Sequence, residues 1–84
     1  MGRTFATLQA DLAANLKERR LLEGLSQEAL ALAADVDRTY VSQIERCVGN
    51  PSLQILAKLA RSLDLDVAAL LDASLPHSAK KDPQ

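Results

Sequence analysis

Apolar residues recur at three- and four-residue intervals along most of the chain, and short polar stretches interrupt them. Phe5, Leu8, Leu12 and Leu16 form one stripe and predict a first helix from about residue 5 to about 23. Gly24 stands where such a helix stops. Ser26 suits the N-cap of a second helix, with Glu28 favoured in its first turn, ending near Ala34. Asp35-Val36-Asp37 reads as a tight turn in which Asp35 takes a positive φ, a conformation that Asp tolerates better than most residues. Asp37 then caps a third helix, roughly Arg38 to Arg46, with Val36, Val41 and Ile44 facing inward. Gly49, Asn50 and Pro51 mark a loop, and Ser52 caps a fourth helix whose buried face is Leu53, Leu56, Leu59, Ala60 and Leu63. Asp64-Leu65-Asp66 breaks that pattern, and Asp66 caps a short fifth helix through about Leu71. From Ala73 onward the composition favours a flexible tail.

Composition agrees with this pattern. The 84 residues suit one small domain, and 48% of them are hydrophobic, enough for a core. Aromatics make up 2%, so the core is built from Leu, Ala, Val and Ile. Leu and Ala favour helix, and the expected fold class is all-α. A domain this small has modest stability, which dimerisation would raise.

Charge and candidate chemistry narrow the function. A net charge of −1 argues against a general nucleic-acid binder but leaves room for a specific reader with a local basic surface. Cys47 is the only cysteine, so no internal disulfide forms, and His77 is the only histidine, so no zinc-type Cys/His set exists. No apolar run approaches the roughly 18 residues of a membrane span, and Met1 to Phe5 lack the apolar core of a signal peptide. The expectation is a soluble cytoplasmic protein without metal or cofactor. No His/Asp/Ser constellation and no phosphate-cradling Gly loop points to an enzyme. Cys47 invites a redox-sensor reading, but the simpler expectation is a buried or half-buried small residue.

The second and third predicted helices carry the strongest signal. The third opens with a polar string, Arg38, Thr39, Ser42 and Gln43, opposite its own apolar residues. Short polar side chains stand there where Lys and Glu would be the usual solubilising choice. Ala31 is small where two helices must cross closely, and the turn between them is short. This is the layout of a DNA-reading helix held by a supporting one.

Gly24 to Ala31, Asp37 to Arg46 and Asn50-Pro-Ser-Leu53 resemble the Cro/C1-type helix-turn-helix family over about residues 8 to 72. The run Asp37 to Ser42 is similar to controller proteins of restriction–modification systems and to other regulators of the family. The resemblance implies a five-helix, lambda-repressor-like domain at residues 1–72, its helix-turn-helix proper at about 27–46, with 73–84 as the tail. It implies binding to double-stranded DNA as a homodimer, with paired recognition helices about 34 Å apart on a near-palindromic operator.

Arg38, Thr39, Ser42 and Gln43 match the family's base-facing positions. Arg38 suits guanine and Gln43 adenine, while Thr39 suits a thymine methyl or a phosphate. Gln27, Tyr40, Arg46, Asn50 and Ser52 are the phosphate-contact candidates; the resemblance implies that Gln27 also braces the recognition helix, and packing is the main expected role of Tyr40. Arg20 and Glu45 match a pair commonly salt-bridged in the family. Asp35 and Cys47 stand where the family often has Gly, and Gly49 where it often has a basic residue. Leu65, Val67, Leu70 and Leu71 exceed what a short terminal helix needs, and with Ile55 on the fourth helix they are the candidate dimer surface; the equal alternative is that these leucines close the chain's own core. The expected function is a repressor or autoregulator without a small-molecule effector. The alternative is a protein-interaction adaptor or antitoxin-like protein on the same fold.

Overall fold

The computed structural model describes residues 2–73 and places five helices there: α1 (Phe5–Leu22), α2 (Gln27–Ala34), α3 (Arg38–Glu45), α4 (Leu53–Ser62) and α5 (Val67–Leu70). Apart from Ala73, the expected tail lies outside the described residues. Every helix starts on a side-chain oxygen. Thr4, Ser26, Asp37, Ser52 and Asp66 have extended backbone, and each accepts a hydrogen bond from an amide two or three residues on. Each such cap stabilises by about 1 kcal/mol. The polar interruptions of the apolar pattern are therefore helix starts.

The ends of α1 to α4 share one solution. A residue at positive φ follows the last turn: Gly24 at 73°, Asp35 at 59°, Cys47 at 60° and Asp64 at 59°. The next amide then reaches back to close the helix. Leu25, Val36, Val48 and Leu65 donate to the carbonyls of Arg20, Ala31, Gln43 and Ala60 at 2.8–3.0 Å. These are Schellman ends, a geometry in which glycine is the least strained residue. Only α1 uses glycine there. Asp35 adopts the positive φ expected of it, and Cys47 and Asp64 carry the same strain.

The helices pack as α2 on α3 and α4, α1 on α3 and α5, and α4 on α5. Leu16, Leu30, Val41, Leu59 and Leu70 are fully buried at the centre. Ala31, only 2% exposed, allows the close approach of α2 to its neighbours.

Two apolar assignments are corrected. Leu53 is 71% exposed and Phe5 is 55% exposed, although each was expected on an inner stripe. Both are the first residue of their helix. A helical Cβ leans toward the N-terminus, so these side chains project past the end of the core instead of over it. Val36 is half-buried, and Leu56, Leu59, Ala60 and Leu63 are buried.

Candidate nucleic-acid interface

Helix α3 has two faces with different chemistry. Val41 and Ile44 turn inward and are 0% and 3% exposed. On the other side Arg38 and Thr39 are exposed, and Ser42 and Gln43 half-buried. The start of the helix is set by Asp37, whose Oδ1 accepts from the Thr39 N–H at 2.8 Å. That hydrogen bond, together with the nearby Arg38 charge, holds the Asp37 carboxyl below its usual range. One turn on from Ser42, Arg46 donates from Nε to Ser42 Oγ at 3.2 Å. Arg38, Ser42 and Arg46 thus form a row at four-residue spacing.

The base of α3 is tied down by a buried polar cluster. Arg20 on α1 donates from Nε to Glu45 Oε2 at 2.7 Å and from Nη2 to Glu45 Oε1 at 2.9 Å. Its Nη1 donates to the Leu25 carbonyl at 2.7 Å. Gln27, the first residue of α2, donates from Nε2 to Glu45 Oε1 at 3.1 Å. One carboxylate therefore joins α1, α2 and α3. The two charged side chains are 9% and 5% exposed. Burial alone would raise the Glu45 carboxyl, but the Arg20 and Gln27 hydrogen bonds and the Arg20 and Lys17 charges outweigh it, and its pKa lies below the ordinary value. The hydrogen bond to Glu45 raises Arg20 against its own desolvation. Among the described residues no buried side-chain nitrogen or oxygen lacks a hydrogen bond. This satisfaction lets a buried ion pair hold helices in register.

The loop after α3 carries the remaining polar candidates. Asn50 and Ser52 are exposed, and the Ser52 hydroxyl caps α4 by accepting from the Ile55 N–H at 3.1 Å. Tyr40, 40% exposed, borders a small hollow with Gln43, Val48, Asn50 and Pro51. Gln9 on α1 donates from Nε2 to the Gly49 carbonyl at 2.9 Å. Cys47 is exposed, which corrects the expectation of a buried or half-buried residue. It is the positive-φ residue that ends α3, and its Sγ lies at the surface beside the Gln9 carbonyl of α1, to which it donates at 3.9 Å.

The candidate dimer residues do not form one exposed patch. Ile55, Leu65, Val67 and Leu71 are half-buried against the core. Leu70 is fully buried, so it belongs to the chain's own core and is removed from the candidate surface. A short helix docked by its last apolar turn needs that leucine inside.

Two positioning residues escaped the sequence reading. Gln9 holds the Gly49 loop, and Asn15 donates from Nδ2 to the carbonyls of Leu70 at 2.9 Å and Asp72 at 2.7 Å, closing α5. Both lie on α1 and act on segments distant in sequence, so no local signal marks them. Among the described residues no group of His, Cys, Asp or Glu is arranged to hold a metal, and no helix is long and apolar enough to cross a membrane.

Helices packed in this order, with a polar face on the third, define a DNA-binding helix-turn-helix domain. The helix-turn-helix family profile matches residues 16–70, and the chain belongs to that family, among its Cro/C1-type regulators. Control protein C.SmaI from Serratia marcescens is 37% identical over 67 residues, covering 80% of this chain and 80% of that protein. A hypothetical transcription factor from Neisseria meningitidis is 42% identical over 64 residues, which are 76% of this chain but 60% of that protein's length. The crystal structure of the factor NHTF from Neisseria superposes with a TM-score of 0.80 at 35% identity, covering 93% of this chain and 90% of that one. The restriction-modification controller protein C.AhdI from Aeromonas hydrophila gives 0.70 at 40% identity, covering 74% and 94%. The chain is thus a DNA-binding transcriptional regulator, in a class that is not enzymatic.

Proposed function

We propose that this chain is a sequence-specific repressor or autoregulator that binds a near-palindromic operator as a homodimer in the cytoplasm. The observation that carries this reading is the pairing of an outward polar row on α3 with a buried Arg20–Glu45–Gln27 tie beneath it. A helix held that firmly presents its outer side chains in a fixed register to the major groove. In this reading Arg38, Thr39, Ser42 and Gln43 read base edges. Gln27, Tyr40, Arg46, Asn50 and Ser52 meet phosphates, aided by the backbone amides that open α2 and α4.

With a net charge of −1, a single domain has little general attraction for DNA. Two recognition helices acting together supply the affinity that charge does not. The half-buried Ile55, Leu65, Val67 and Leu71 are the apolar groups available for the pairing. Regulation then follows from the protein's own concentration through dimerisation and operator occupancy.

Selection from random double-stranded DNA tests the proposal, together with sedimentation of the protein alone. The expected result is a near-palindromic site with half-sites about 34 Å apart, salt-dependent binding, and a dimer at micromolar concentration. No enriched site and no salt-dependent binding would overturn it in favour of the adaptor or antitoxin-like reading. A monomer at micromolar concentration would overturn the dimer.

A further inference from the structure

Gly49 sits in the loop after α3 at φ +82°. Its carbonyl accepts the Gln9 hydrogen bond from α1 at 2.9 Å, across a sequence separation of 40. Gln43 lies directly against it. A Cβ built on Gly49 would stand 3.3 Å from Gln43 Oε1 and 3.7 Å from its Cβ and Cδ. The Gln43 carboxamide therefore lies where a Cβ at position 49 would make a tight contact. The same residue is bound to the loop through its backbone, since its carbonyl accepts from the Val48 N–H at 2.9 Å. A side chain at position 49 would push the carboxamide by a few tenths of an ångström and strain a backbone already at positive φ.

A glutamine reads adenine by two parallel hydrogen bonds to N6 and N7, so its amide plane must lie in the plane of the base edge. We propose that Gly49 and Gln9 are positioning residues that fix the Gln43 carboxamide and so set the base preference at the step it reads. Gly49 supplies the open space, and Gln9 holds Gly49 at its distance from α3. This inference rests on the assignment of α3 as the base-reading helix.

The test uses the full chain as wild type, Gln43→Ala, Gly49→Ala, Gln9→Ala and the Gln43→Ala/Gly49→Ala pair. Each is measured against the selected site and its single-base substitutions, with thermal melting alongside. Gln43→Ala is expected to mark one step in each half-site. Gly49→Ala should lower discrimination at that same step by about fivefold or more, leave the other steps unchanged, and add nothing in the Gln43→Ala background. Gln9→Ala should act at the same step more weakly, and it decides the matter if Gly49→Ala does not fold.

A uniform loss of affinity at all sequences, with discrimination intact, would overturn the proposal. So would unchanged discrimination in both variants, or a Gln43→Ala protein that marks no step. Wild-type protein that selects no site would instead overturn the reading of α3 itself.

Discussion

The two faces of α3 use the same kinds of residue to opposite ends. On the inner side Glu45 is held by Arg20 and Gln27 at 2.7–3.1 Å, with the charged pair almost wholly withdrawn from water. On the outer side Arg38 and Thr39 are exposed, and the Ser42–Arg46 contact is a single exposed hydrogen bond of 3.2 Å. Burial makes the inner group a structural joint, because breaking a buried, satisfied ion pair strands a charge. Exposure leaves the outer group with little intramolecular energy to lose when it turns to a partner. On the proposed reading, stability and recognition are separated across one helix, and substitutions on the two sides should be separable too.

The largest effect is expected on the inner side. Arg20→Ala leaves the Glu45 carboxylate buried without its guanidinium and should cost about 3 kcal/mol. The melting temperature should fall by more than about 10 °C. Unchanged melting would mean that the joint is not structural and would erase the contrast. Next comes Arg38→Ala on the outer face. It should leave stability within about 0.5 kcal/mol while weakening binding to the selected operator by about tenfold. Titration of operator DNA at fixed salt measures it, and a loss equal for all sequences would reduce Arg38 to a phosphate contact.

Acid probes the inner joint again. The Glu45 pKa in the fold is below its ordinary value of 4.5, so the charged form favours the folded state. That stability is fully present above about pH 4.5 and is lost as the pH falls through the lower folded value. In Arg20→Ala the Glu45 share of that loss should shrink or reverse, because burial raises this carboxyl and only the Gln27 hydrogen bond and the Lys17 charge then oppose it. Denaturant midpoints of both proteins between neutral and acid pH check this. An equal acid dependence would show that Arg20 is not the group holding Glu45 charged.

The smallest effect belongs to the helix end between the two faces. Cys47 is a non-glycine at φ 60° with an exposed side chain. Cys47→Gly should therefore stabilise by about 0.5 kcal/mol without altering operator preference. A lower denaturation midpoint would show that the Cys47 side chain contributes more than its positive φ costs.

Much of this molecule was legible from local chemistry. Ser26, Asp37, Ser52 and Asp66 announce helix starts because an N-cap acts within three residues of itself. The four-residue recurrence of apolar positions announces the core for the same reason. Resemblance added the Arg20–Glu45 pair, which spacing alone does not reveal. The misjudged residues were those whose environment is assembled from elsewhere in the chain. Phe5 and Leu53 fit a stripe by period yet start their helices and overshoot the core. Leu70 looked surplus until α5 docked and enclosed it. Gln9 and Asn15 carry no local signal, because the backbone carbonyls they hold lie 40 and 55 residues away.

By itself, then, the order of residues determined the helices, their caps, the positive-φ turn at Asp35 and the polar outer face of α3. Each depends on interactions within one turn or one helical face. Only the tertiary structure decided which leucines are inside, how Gln27 joins Arg20 on the Glu45 carboxylate, and that Gln43 rests against Gly49 under the hold of Gln9. Those outcomes depend on distances between helices, and no local pattern encodes where one helix will cross another.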